Sequence, residues 1–79
     1  MKFYYTNARM NGKTALLAGP FPDAETAGKC IDLLGPAFIE ADPAAENASF
    51  GVMECNAPCG PGIFNNALPA FGIIPLTIN

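Results

Sequence analysis

Cys55 and Cys59, spaced C-x3-C, come closest in this chain to a reactive motif. Thiols at that spacing can supply half of a tetrahedral zinc site or close into a short disulfide on oxidation. The other half of a zinc site is missing, because the chain has no histidine and no second cysteine pair. The third thiol, Cys30, falls among apolar residues at helical spacing and reads as a small core residue. An odd count of three cysteines argues for reduced thiols, and nothing beside Cys55 or Cys59 in sequence would activate either as a nucleophile.

Carboxylates are the other chemical resource. Asp42 and Glu46 are four residues apart, with Glu40 close by. A pair of that kind can divide acid and base roles only where its environment splits the two pKa values. Here the pair falls on a short, polar stretch that solvent should reach. Without histidine, neither a Ser-His-Asp nor a Cys-His system can be built within one chain. Cys59-Gly60-Pro61-Gly62 has neither the spacing nor the following helix of a phosphate-binding loop. Tyr4 and Tyr5 could stack on bases, yet four Lys and Arg among 79 residues make no electrostatic funnel for nucleic acid. The expectation is a protein that is not an enzyme, takes no metal or cofactor, and makes no direct nucleic-acid contact.

The elements that would carry these residues can be read along the chain. Residues 2–9 are rich in strand formers, Asn11-Gly12 follows, and a second apolar run begins at Thr14. Asn-Gly between two such runs predicts a hairpin with a two-residue turn, because both central residues accept positive φ. The simplest register sets Met10 against Lys13, Ala8 against Ala15, Thr6 against Leu17 and Tyr4 against Gly19, and this face is expected to meet the core. Gly19-Pro20-Phe21-Pro22 ends the second strand. Asp23 is a good N-cap, with Glu25 in the first turn to complement the helix dipole. Ala27, Ile31, Leu34 and Phe38 recur at helical spacing, with Cys30 beside them. Glu25, Lys29 and Asp32 lie on the opposite side, and Glu25–Lys29 is an i,i+4 pair in the favourable order. Gly35-Pro36 predicts a kink or a short restart of this helix. Asp42-Pro43 reads as a second cap with proline at the first helical position. Phe50–Cys55 is short, apolar and bounded by turn formers, so it reads as a third strand.

This order predicts an α+β fold: a small antiparallel three-stranded sheet with one kinked helix packed on it, ββαβ, over residues 1–55. Residues 56–79 differ, with four prolines, three glycines and no charge. They form an apolar Pro/Gly-rich C-terminal extension of the same single domain. Ile63, Phe64, Leu68, Phe71, Ile73, Ile74, Leu76 and Ile78 are too apolar to stand in water. They either wrap the small core or contact a second chain, and a homo-oligomer through residues 63–79 is one form of the second option.

Charged residues are only 14% of the chain and hydrophobic ones 51%, the reverse of a disordered composition. No apolar run approaches the 18 or so residues of a membrane-spanning helix. The N-terminus turns polar too early for a signal peptide, which makes the cytoplasm the expected compartment. The net charge of −3 is unevenly spread: residues 23–54 hold all seven acids against Lys29 alone. Such a segment repels phosphate backbones and suits a protein partner with a basic surface.

Ala15-Leu16-Leu17-Ala18-Gly19-Pro20-Phe21, Asp23-Ala24-Glu25-Thr26-Ala27, Glu40-Ala41-Asp42-Pro43-Ala44-Ala45 and Phe50-Gly51 form a pattern across residues 3–55. It resembles that of short phage and prophage proteins of unknown function. Small acidic phage proteins without enzymatic signatures include the anti-CRISPR proteins, several of which present carboxylates where a nucleic acid would dock on a basic Cas surface. The resemblance implies a phage-type inhibitor of a host nucleic-acid-handling complex, most simply a CRISPR effector, acting in the host bacterial cytoplasm. Its contact residues would be Glu25, Asp32, Glu40, Asp42 and Glu46, with Phe64 and Phe71 of the tail as apolar anchors. The competing expectation is a structural or oligomeric accessory protein, such as a minor virion component, that assembles through the tail.

Overall fold

The computed structural model describes residues 2–77. Asn11 and Gly12 both take left-handed backbone, with φ of 53° and 76°, as a tight turn between twisted antiparallel strands requires. Strand β1 (Phe3–Met10) enters that turn and strand β2 (Lys13–Phe21) leaves it. Strand β3 (Ser49–Cys55) pairs with the other edge of β1, so the antiparallel sheet runs β2-β1-β3 with β1 in the middle.

The hairpin keeps its simple register for only half its length. Met10 faces Lys13, Ala8 faces Ala15 and Asn7 faces Leu16. Thr6 then lies opposite Ala18, not Leu17, and Tyr4 opposite Phe21, not Gly19. β2 thus carries two extra residues, each a local irregularity of the ladder. The physical cause lies around Gly19 and Pro20. Gly19 has φ of 124°, and a Cβ there would stand 2.8 Å from Tyr5 Cδ2 and 2.9 Å from the Tyr4 carbonyl oxygen. Pro20 has no N–H to give to a ladder.

One helix, α1 (Ala24–Ala41), covers one face of the sheet. Asp23 caps it, its carboxylate accepting from the Thr26 N–H at 2.7 Å and the Thr26 hydroxyl at 2.8 Å. Ala27, Cys30, Leu34 and Gly35 are buried, whereas Ile31, expected in that stripe, is only half-buried. Small side chains win here because the helix lies close on β1: the Thr6 hydroxyl donates to the Ala27 carbonyl at 2.6 Å. The helix does not restart at Gly35-Pro36 but runs on unbroken to Ala41. Pro36 points to solvent and removes a single backbone bond, while Leu34 and Phe38 hold the turns on either side against the core. The Asp42 N–H closes the helix on the Phe38 carbonyl at 2.9 Å, and a 3-10 turn, Pro43–Asn47, leads into β3.

β1 buries four successive residues, Tyr5, Thr6, Asn7 and Ala8. A sheet covered on one face would bury alternate residues. Thr6 and Ala8 face α1; Tyr5 and Asn7 face the other way. Part of that second cover is the loop after β3, where the Tyr5 hydroxyl accepts from the Cys59 N–H at 2.9 Å and donates to the Gly60 carbonyl at 2.6 Å. The chain then crosses the outer edge of β2. The N–H groups of Gly62, Ile63 and Phe64 donate to the carbonyls of Gly19, Leu16 and Leu17 at 3.1, 2.9 and 2.8 Å. Adjacent carbonyls such as Leu16 and Leu17 face one edge only where a strand is irregular, so the slip in β2 creates this docking edge. The Asn65 side chain brackets Gly19, accepting from its N–H at 2.9 Å and donating to its carbonyl at 2.6 Å.

A second 3-10 helix, Asn65–Phe71, delivers Leu68 fully buried into the core beside Leu17, Phe21 and Leu34. Phe64 meets Phe38 edge-on with ring centroids 6.2 Å apart, and Phe38 meets Phe50 the same way at 6.4 Å. Farther on, the Leu76 N–H reaches the Pro20 carbonyl at 2.8 Å. Of the two destinations open to the apolar tail, Phe64 and Leu68 take the first and wrap the core. Ile63, Phe71 and Ile74 stay 62%, 53% and 72% exposed. Ile78 lies outside the described residues.

Candidate functional site

The acidic residues line the side of α1 that faces away from the sheet. At 100° per residue, Glu25, Asp32 and Glu40 fall within about 80° of one another, spaced about 10 and 12 Å along the axis. All three are exposed. Glu46, on the following 3-10 turn, is exposed too. Lys29 is the one cation on this face of α1, and it leans on Glu25 at 3.6 Å. The stripe therefore presents Asp32 and Glu40, and the next turn presents Glu46, each without a basic partner within ion-pair distance among the described residues.

Two of the neighbouring carboxylates have local structural work. Asp42 is half-buried and accepts from the Ala44 N–H at 3.2 Å, which caps the 3-10 turn. Asp23 caps α1, and the Thr26 N–H and hydroxyl hold its carboxyl below the usual aspartate range. The Asp42–Glu46 pair weighed above as an acid–base couple is thus a cap and a solvated side chain. Among the described residues, no group of three or more His, Cys, Asp or Glu is placed to hold a metal.

The aromatic anchors divide. Phe71 stands out in solvent, but Phe64 is packed on Phe38, so its ring serves the core of its own chain. The exposed apolar residues near Phe71 in sequence are Ile63 and Ile74, which sequence reasoning placed in the tail without singling out. The Phe64–Leu68 spacing was the available signal that these two share a buried side. A cleft of about 390 Å³ opens between the hairpin turn and the helix, with Ala8, Met10, Ala15 and Phe38 on its walls and Lys13 beside them. Its lining includes Lys13 and Thr14 but no cysteine and no carboxylate.

The thiols fall into two environments. Cys30 is fully buried, and desolvation pushes its pKa up. Cys55, at the end of β3, and Cys59, in the next loop, bring their sulfurs to 3.6 Å. Burial, then the neighbouring Cys59 and Glu54, push the Cys55 thiol up. Among the described residues, no helix is long and apolar enough to cross a membrane. No protein family, curated protein or solved structure matches this chain.

Proposed function

We propose that this is a non-enzymatic binding protein that sets the acidic outer side of α1 against a basic protein surface. In this reading it is a phage-type inhibitor of a host nucleic-acid-handling complex, an anti-CRISPR protein whose target is a CRISPR effector in the bacterial cytoplasm. The ββαβ unit is the scaffold, and the apolar C-terminal segment braces it. The observation that carries the reading is the row of exposed carboxylates on α1, Asp32 and Glu40, together with exposed Glu46 of the next turn, none with an ion-pair partner among the described residues. Such a row steers encounter with a cationic groove and loses little on desolvation at its rim. The α1 residues stand on an 18-residue helix, so they are presented by a preorganised element.

The test is a triple reversal, Asp32→Lys, Glu40→Lys and Glu46→Lys, measured as equilibrium binding to a purified, guide-loaded CRISPR effector. Asp42 is left intact because it caps the 3-10 turn. The expected result is a loss of affinity of about tenfold or more, with cooperative thermal unfolding preserved. Affinity equal to that of the parent protein overturns the proposal.

A second reading is favoured by a different observation, the exposure of Ile63, Phe71 and Ile74. In it the protein is an oligomeric accessory that assembles through these exposed side chains. Light scattering on an Ile63→Ser, Phe71→Ser, Ile74→Ser variant separates the two. An oligomer that becomes monomeric supports assembly, and a parent protein that is monomeric at high concentration removes it.

A further inference from the structure

We propose that Cys55 and Cys59 form a dithiol site that exchanges with low-molecular-weight disulfides and closes into an intramolecular disulfide. The pair is set up by two fixed backbones and one open side chain. Cys55 is held in the ladder of β3 opposite Phe3. The Cys59 backbone is held by its N–H bond to the Tyr5 hydroxyl at 2.9 Å, and Tyr5 is itself fully buried. The Cys59 side chain is exposed, and its sulfur lies 3.6 Å from that of Cys55. A disulfide bond is about 2.05 Å long, so the sulfurs must close by about 1.5 Å, which side-chain rotation at exposed Cys59 can supply.

The roles of the two thiols follow from their surroundings. Cys59 is open to a reagent, whereas burial disfavours the thiolate of Cys55. Cys59 is the attacking thiol and Cys55 the resolving one. The Cys59 thiolate attacks one sulfur of a disulfide RSSR, forming a Cys59–SR bond and releasing one RSH, which carries the proton Cys59 lost. The Cys55 thiolate then attacks the Cys59 sulfur and releases the second RSH with the proton of Cys55. The protein pair loses two electrons, and RSSR gains them as two thiols. Cys30, fully buried, stays outside this chemistry. Closure ties β3 to the loop that begins the wrap around β2. This site is independent of the acidic row on α1, and no step of it requires a binding partner.

The experiment uses the full-length reduced protein in a glutathione disulfide buffer, with alkylation of remaining thiols and intact and peptide mass measurement. The expected product is a Cys55–Cys59 disulfide that has lost two hydrogens, retains no glutathione and leaves Cys30 reduced. Cys55→Ser should stall with glutathione held on Cys59, because the resolving thiol is gone. Cys59→Ser should react more slowly than Cys55→Ser. A wild-type protein that retains glutathione on Cys59 as Cys55→Ser does overturns the proposal. So does a wild-type protein that keeps all three thiols free where Cys55→Ser is modified.

Discussion

Gly62→Ala tests whether the C-terminal wrap is an integral part of the fold. A Cβ on Gly62 would lie 2.4 Å from Ala18 Cα, 2.5 Å from its N and 2.7 Å from its carbonyl carbon. Carbon atoms in contact sit about 3.5–4.0 Å apart, so the two backbones must separate by about 1 Å. The hydrogen bonds of Gly62, Ile63 and Phe64 to β2, now 2.8–3.1 Å, would then exceed bonding range. At about 0.5–1.5 kcal/mol net for each, their loss costs about 2–4 kcal/mol. For a domain of this size that is a drop in Tm of about 10–25 °C. Gly28→Ala is the control. Its Cβ would meet nothing nearer than Val52 Cγ2 at 4.0 Å, within a helix, and it should stabilise by about 0.5–1 kcal/mol. Thermal and urea unfolding followed by far-UV circular dichroism read both. A Gly62→Ala protein within about 0.5 kcal/mol of the parent refutes the close packing of the wrap on β2.

Two further outcomes follow from single groups. Thr6→Val removes the buried hydroxyl that donates to the Ala27 carbonyl, and should cost about 1–2 kcal/mol in urea unfolding; no loss would mean that α1 does not sit this close to β1. Asp23 has a lowered carboxyl pKa, so the unfolded chain binds its proton more readily than the native protein does. Its stabilisation is therefore complete above the ordinary aspartate value of about 3.9 and fades as pH falls through the lower native value. The Tm difference between the parent and Asp23→Asn should shrink across that window, and a difference independent of pH would contradict the assignment.

Features settled by residues close in sequence were legible beforehand. The Asn11–Gly12 turn, the Asp23 and Asp42 caps and the Glu25–Lys29 pair each depend on contacts spanning at most four residues. The slip in β2 was not legible, because it depends on the approach of Gly19 to Tyr5 and on Asn65, 46 residues farther along the chain. The choice of Cys30 over Ile31 as the buried residue reflects the helix-to-sheet distance, which periodicity does not contain. Proline at position 36 suggested a kink or a restart, but the helix does not restart, because packing on both sides of it outweighs one lost bond. The exposed row on α1 was visible in the spacing of Glu25, Asp32 and Glu40. The separation of Phe64 from Phe71 was not, since it is decided by the distant Phe38 ring.

The most direct test of the binding reading is the salt dependence of the dissociation constant for a purified, guide-loaded CRISPR effector, with the parent protein titrated from about 50 to about 500 mM salt. An interface built on the acidic row must weaken steadily across that range, as the screening length falls from about 14 to about 4 Å. A complex whose affinity ignores salt, or no complex at micromolar protein, would contradict it.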